Sequence, residues 1–136
     1  GVPASVAAAL RFPDRVSVVV AGDGDFMMNG QELATAAQYD ADLLVLVIDN
    51  GSFGTIRLHQ EREYPARLSA TSLRNPDFAM LAKAYGGWSA TVETTDQFAP
   101  ALAQAMQRKG LRLLHLKTDV EFLTAAGATV SGLRAK

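Results

Sequence analysis

The sequence contains no cysteine. That excludes a disulfide framework, a thiolate nucleophile and a zinc site built on sulfur ligands. It also lacks an excess of charge of either sign: 13 lysines and arginines against 14 aspartates and glutamates leave a formal net charge of −1. No general attraction to nucleic acid or to an anionic membrane follows, so any anionic ligand must be held by local chemistry. Long apolar runs are missing as well. Val16–Ala21, interrupted only by Ser17, is far too short to span a bilayer, and no signal-peptide pattern opens the chain. These absences predict a soluble, unexported, cytoplasmic protein with no membrane span.

What remains has the composition of one globular domain: 136 residues, 49% hydrophobic and 20% charged. Apolar patterning divides it into alternating strands and helices. Pro3 and Ser5 precede an alanine-rich run, so residues 3–11 read as a short helix ended by "FPDR". Residues 16–21, "VSVVVA", and 42–50, "DLLVLVIDN", are β-branched and nearly all apolar, the pattern of strands covered on both faces. Between them Asn29 reads as an N-cap for "GQELATAAQY", with Leu33, Ala36 and Ala37 on one helical face.

Further along, a short helix is predicted from Phe53 to Glu61, followed by loop-like "SATSLRNP". A helix from Pro76 through Tyr85 stops at Gly86 and Gly87, and "WSATVE" forms a short strand. Thr95 and Asp96 read as caps for "QFAPALAQAMQRK", with Pro100 in its first turn, and "LRLLHLKT" is the last strand. The order predicts an α/β fold: a three-layer sandwich with a mostly parallel sheet and helices on both faces. The chain opens at Gly1 with a helix and no strand before it, which reads as a domain over residues 1–124 lacking an upstream segment. Residues 125–136 then form a weakly periodic tail, extended or mobile from Thr124 onward.

The chemistry concentrates in "GDGDFMMNGQEL", which begins at Gly22, immediately after the first strand. A dinucleotide loop needs G-x-G-x-x-G, and the third glycine position holds Met27. Asp23 and Asp25 would also repel a pyrophosphate unless a cation lay between them. A divalent cation reverses the objection, because Mg²⁺ takes oxygen ligands from one or two protein groups together with phosphate oxygens. In parallel sheets ligands bind beyond the carboxyl ends of the strands, and consecutive strands are often neighbours. Asp23 and Asn50, 27 positions apart, are therefore placed within reach of one ion. A lone Gly-Asp-Gly is more often a plain turn, and only its context, on two successive buried strands, raises it above one.

That context resembles a known pattern. "GDGDFMMNGQEL", followed through Ile48 and then by "DN", is similar to the thiamine diphosphate motif, in which GDG is followed some two dozen residues later by an asparagine pair. The resemblance extends from "GVPASVAAALRFPDR" to about Thr124. It implies the C-terminal, diphosphate-binding domain of an enzyme in the acetolactate synthase, pyruvate oxidase and benzoylformate decarboxylase group, most like acetolactate synthase. By the same resemblance Asp23, Asn50 and the backbone carbonyl of Ser52 are metal ligands, Gly22, Gly24 and Asp25 lie near the diphosphate, and Phe26, Met28 and Gly54 line the cofactor or substrate side.

The resemblance further implies thiamine diphosphate and Mg²⁺ as cofactors and a 2-oxo acid such as pyruvate as substrate. It also implies a homodimer or homotetramer in which the N-terminal pyrimidine-binding domain of a neighbouring subunit completes the site with a glutamate. None of Glu32, Glu61, Glu63, Glu93 and Glu121 matches that role, so the chain alone is expected to hold half a site and be inactive, with no catalytic residue of its own. Two positions depart from the pattern: Asp49 stands where the first asparagine is usual, and His59 follows "GTIRL" where acetohydroxyacid synthases carry a tryptophan. A benzoylformate-type decarboxylase and a non-catalytic nucleotide-fold binding or assembly module are the competing readings.

Outside the motif, His115 in "LRLLHLKT" reads as a satisfied strand histidine, and His59 either faces substrate or sits on a solvated helix face. Arg57, Arg62 and Arg67 among Glu61 and Glu63 read as mixed-sign pairs on an exposed helix. Met27, Met28, Met80 and Met106 read as core fillers, with Met28 left open by its place beside the loop.

Overall fold

The computed structural model describes residues 1–124 and 126–135. Four strands form one sheet: β1 (Ser17–Gly22), β2 (Leu43–Asp49), β3 (Trp88–Val92) and β4 (Leu111–Lys117). Their order is β1-β2-β4-β3 and every pairing is parallel. In the registers Gly22 stands beside Ile48 and Asp49 beside Lys117. The carboxyl ends of β1, β2 and β4 therefore finish together, along one edge.

Side chains of β2 alternate between two cores, as the pleat requires. Leu43, Val45 and Val47 pack with Leu111 and Leu113 under α1 (Val2–Arg11), α2 (Asp23–Asn29), α3 (Leu33–Gln38) and α5 (Phe78–Ala84). Leu44 and Leu46 pack with Leu114 and Leu116 under α6 (Thr95–Met106). The first core is centred on Phe26 and Phe78, whose rings meet edge to face at 5.2 Å. Helix, sheet and helix make the predicted three layers. On the α6 side the β1 edge is left open, with Val20 63% exposed.

Several local expectations are corrected. Asn29 does not cap a helix through its side chain; it ends α2, which begins at Asp23 with Gly22 as N-cap, and a 3-10 turn over Gly30–Glu32 leads into α3. The presumed loop is thus a helical turn, because Asp23 and Asp25 sit where a helix N-terminus favours negative charge. α6 starts at Thr95 rather than Gln97, with Thr94 as N-cap, which moves Pro100 into the second turn. α5 is capped by the Asp77 carboxylate, which accepts from Met80 N–H at 2.9 Å.

The C-terminal residues differ most from expectation. The tail predicted from Thr124 includes Ala125 and Lys136, which lie outside the described residues. Its described part is not simply extended: Val130–Arg134 form α7, capped by Thr129. α7 packs on α4 (Gly54–Glu63). Glu61 is not an exposed member of a mixed-sign face either; it is fully buried, and Arg134 donates to both of its oxygens, from Nε at 2.9 Å and Nη2 at 2.6 Å. Ala66 N–H adds a third bond at 3.0 Å. α4 pattern alone could not disclose a partner 73 positions away.

At the amino end of the sheet, buried Arg112 is held from two sides. Its guanidinium donates to the Asp42 carboxylate, at the entry to β2, and to the Arg108 and Ala105 carbonyls at the end of α6. It adds a donor to the Ala105 carbonyl, which already accepts from Arg108 N–H at 3.1 Å, and one to the Arg108 carbonyl beyond the helix end, while tying α6 to the sheet. Arg112→Met leaves those carbonyls and Asp42 short of a donor, and is expected to lower the unfolding free energy by about 3 kcal/mol in urea titration.

The Arg134 guanidinium, followed by Ala66 N–H, holds the Glu61 carboxyl at about 2, below its ordinary 4.5. Since the folded value lies below the unfolded one, this docking contributes fully above pH 4.5 and is lost as pH falls from there through 2. Hydrogen exchange of the α7 amides, corrected for intrinsic rate, is expected to accelerate over that window. Glu61→Gln is expected to show the fast exchange already at neutral pH.

Candidate functional site

At the shared carboxyl edge of β1 and β2 lies a cleft of about 200 Å³. Gly22, Asp23, Gly24 and Asp25 line it from the start of α2, and Asn50, Ser52 and Gly54 line it from the segment after β2. Parallel pairing brings these two stretches together: β1 and β2 end side by side, and each hands the chain straight into a turn. Leu123, from the C-terminal segment, closes part of the wall. A larger hollow of about 570 Å³, beside Trp88 and Lys109, lies at the amino end of the strands, away from these polar groups.

Two glycines permit the close approach. A Cβ on Gly24 would stand 2.5 Å from Phe53 Cε1, and one on Gly54 would stand 3.0 Å from Asn50 Nδ2. A side chain at Gly24 would push the two walls apart, and one at Gly54 would crowd the Asn50 amide within its own wall. The second wall is braced from behind. Phe53 N–H donates to Thr71 C=O and Leu73 N–H to Gly51 C=O, each at 2.8 Å, making an antiparallel bridge between Ser52 and Ser72. Ser52 Oγ also donates to Thr71 C=O, at 3.0 Å. The Ser52 carbonyl takes no part in that bridge.

Asp23 is 2% exposed and accepts from Gly24 N–H at 2.9 Å and from Asn75 Nδ2 at 2.6 Å. Burial, with Asp49 nearby, pushes its carboxyl up, against the pull of those two donors. Asp49 is equally hidden at 4% but better supplied. It accepts from Lys117 Nζ at 2.6 Å, from Asn75 Nδ2 at 2.7 Å and from Gly51 N–H at 3.0 Å, and shares a 2.7 Å bond with His115 Nε2. Burial opposes its charge, yet Lys117, His115, Asn75 and Gly51 together hold its carboxyl far below the usual carboxylate range. Asn50 Oδ1 accepts from Ser52 N–H at 3.0 Å, which closes the turn.

The candidate residues chosen from sequence divide cleanly. Gly22, Asp23, Gly24, Asp25, Asn50, Ser52 and Gly54 meet in the cleft. Phe26 does not: three residues after Asp23 on the same helical face, its ring is fully buried against Phe78. Met28 is 66% exposed and also outside the cleft lining, so it is no core filler. Met27, Met80 and Met106 are exposed too. His115 is buried on β4 as expected but only half satisfied, its Nε2 bonded to Asp49 and its Nδ1 without a hydrogen-bond partner among the described residues; His59 lies exposed on α4, where its Nδ1 meets Arg62 Nη2 at 2.9 Å.

Sequence reasoning passed over Asn75 and Lys117. Asn75 sits before Pro76 and reads locally as a turn residue; Lys117 ends a strand and reads as a solvated terminus. A signal for Lys117 exists only in the parallel register that sets it beside Asp49.

Among the described residues no group of three His, Cys, Asp or Glu side chains is arranged to hold a metal. A cation here would instead meet a mixed set of hard oxygens: one carboxylate, one amide and one backbone carbonyl. That set suits Mg²⁺ bound together with phosphate oxygens, and the polar, glycine-walled cleft suits the phosphates. The residues present therefore fit a metal-bound diphosphate.

Comparison with known proteins agrees with this geometry. Residues 1–116 match the family model described as thiamine pyrophosphate enzyme, C-terminal TPP binding domain. The large subunit of acetolactate synthase isozyme 2 from Escherichia coli (strain K12) is 38% identical over 120 residues, 88% of this chain and 22% of that protein. Acetolactate synthase from Arthrospira platensis is 35% identical over 119 residues, 86% of this chain and 21% of that protein. Among solved structures, benzoylformate decarboxylase from Polynucleobacter necessarius superposes with a TM-score of 0.81 at 28% identity, covering 88% of this chain and 23% of that one. The thiamine diphosphate-dependent 4-hydroxybenzoylformate decarboxylase of Rhodococcus jostii RHA1 gives 0.80 at 28% identity, with the same 88% and 23% coverage. The chain spans about a fifth of the length of the curated relatives it matches. With the motif residues in one cleft and this match over most of its length, the chain belongs to the C-terminal TPP-binding domains of thiamine pyrophosphate enzymes.

Proposed function

We propose that residues 1–124 serve as the diphosphate- and Mg²⁺-holding part of an acetolactate synthase-like 2-oxo-acid decarboxylase and carboligase, with residues 125–136 as its tail. The observation that carries this is the meeting of Asp23 and Asn50, remote in sequence, across one glycine-walled cleft. Asp23, the Asn50 amide oxygen and the Ser52 carbonyl would hold the cation. Gly22, Gly24, Asp25 and Gly54 would bound the diphosphate, with the cation between the phosphates and the two aspartates. α4 begins at Gly54 without a side-chain cap, so its first N–H groups are free to meet an anion.

When bound, the cofactor supplies a nucleophilic carbon and an electron sink for loss of carbon dioxide from a 2-oxo acid such as pyruvate. This chain's part is to fix the position of that group and to neutralise its charge. Among the described residues no glutamate lines the cleft. A carboxylate for the pyrimidine end must then come from elsewhere, which supports a site completed by the N-terminal pyrimidine-binding domain of a neighbouring subunit in a homodimer or homotetramer. A benzoylformate-type decarboxylase is the second reading, favoured by the superposition on the two decarboxylase structures.

Titration calorimetry of the full-length enzyme with thiamine diphosphate is expected to show Mg²⁺-dependent binding. Asp23→Ala should weaken it at least about tenfold, since even groups that only support a metal ligand matter that much. Undiminished binding by Asp23→Ala removes the assignment of the cation. Assays with pyruvate, 2-oxobutyrate and benzoylformate are expected to show carbon–carbon bond formation from pyruvate. Turnover of benzoylformate alone moves the enzyme to the second reading.

A further inference from the structure

We infer that Asn75, outside every recognised part of the motif, is the positioning residue that aims Asp23 at the cation, and that Asp49 anchors Asn75 rather than binding metal. The inference rests on the cation site proposed above. Its basis is one amide group with two acceptors. Asn75 Nδ2 lies 2.6 Å from Asp23 Oδ2 and 2.7 Å from Asp49 Oδ1, so both of its hydrogens are committed to carboxylates. Without that group two buried anions would face each other across the end of the sheet, a repulsive arrangement in a medium less polar than water.

The pair is asymmetric. Asp49 has Lys117 and His115 against it, whereas among the described residues Asp23 has no lysine, arginine or histidine within ion-pair distance. Asp49 is thus compensated from within the protein, and the charge of Asp23 is left for a cation in the cleft it lines. Asn75 links the two. Held by Asp49, its amide must present N–H rather than C=O to Asp23, which fixes the orientation of that carboxylate.

Asn75 is itself held from both sides. Upstream, Thr71 and Leu73 bond the turn that carries Asn50 and Ser52. Downstream, Asp77 caps α5. The same segment thereby touches both walls of the cleft. It also explains how aspartate is accommodated at position 49: its second oxygen is taken by Lys117 and His115, and its first by Asn75 and Gly51 N–H.

The test is Mn²⁺ binding, followed by electron paramagnetic resonance in the presence of thiamine diphosphate, to the full-length enzyme and to Asn75→Ala, Asp49→Asn and the double variant. Thermal unfolding is recorded for each. Asn75→Ala is expected to weaken Mn²⁺ binding about tenfold and to alter the spectrum of the bound ion. In the Asp49→Asn background, where the second anion is gone, the same replacement should cost less than about threefold. Unchanged Mn²⁺ affinity in Asn75→Ala overturns the inference and leaves the cofactor reading standing. An equal loss in both backgrounds also overturns it, because the bridge then plays no part. If wild-type enzyme binds neither Mn²⁺ nor cofactor, both the inference and the reading beneath it fall. Should Asn75→Ala not fold, Asn75→Ser retains one donor, and its Mn²⁺ affinity in the two Asp49 backgrounds decides in the same way.

Discussion

β2 is the strand on which the rest of the structure depends. It is paired on both sides, to β1 and to β4, and its residues from Leu43 to Val47 contain no polar side chain. Such a strand has nowhere to lie except at the centre of a covered sheet. Its two ends carry carboxylates. Asp42 at the amino end meets Arg112 and Lys109, and Asp49 at the carboxyl end meets Lys117 and His115. One end is a clamp between sheet and α6; the other is the floor beside the polar cleft.

The same central strand makes the site possible. With every neighbour parallel, all carboxyl ends face one way, and the turns that follow must gather there. Those turns are built differently. After β1 the chain coils at once into α2, which buries Asp23 and Phe26 on one face and leaves Asp25 at the surface. After β2 it makes an asparagine-closed turn, braced by the bridge to Ser72. A short helix and a braced turn are both stiff. Stiff walls are what a site needs if a carboxylate and an amide are to keep their spacing without the ligand present.

Much of this was legible in the sequence. The four strands, the three layers and the placing of Asp23 and Asn50 along one cleft follow from apolar runs, from the rule that parallel connections cross over, and from the chemistry of acids beside phosphates. The family match over residues 1–116 accords with that reading. Other residues were misread for a common reason. Glu61 was placed on a solvated face because only its neighbours on α4 were visible, while its partner, Arg134, lies on α7. Phe26 was drawn toward the cofactor by its place beside the motif, but one step along a helix turns a side chain by roughly 100°, and that step carried it into the core. Asn75 looked like a turn residue, because what it bonds lies 52 and 26 positions away.

By itself the sequence determined the class of fold, the edge of the sheet that carries chemistry and the kind of ligand that edge can accept. These depend on periodicity and on the valence of nearby side chains, both local properties. Only the tertiary structure decided which acid has basic partners and which, among the described residues, has none. Lys117, His115 and Asn75 reach Asp49 from β4 and from the loop before α5, whereas Asn75 alone among them reaches Asp23. Charge balance at a buried pair depends on distances in space, and chain order does not record those distances.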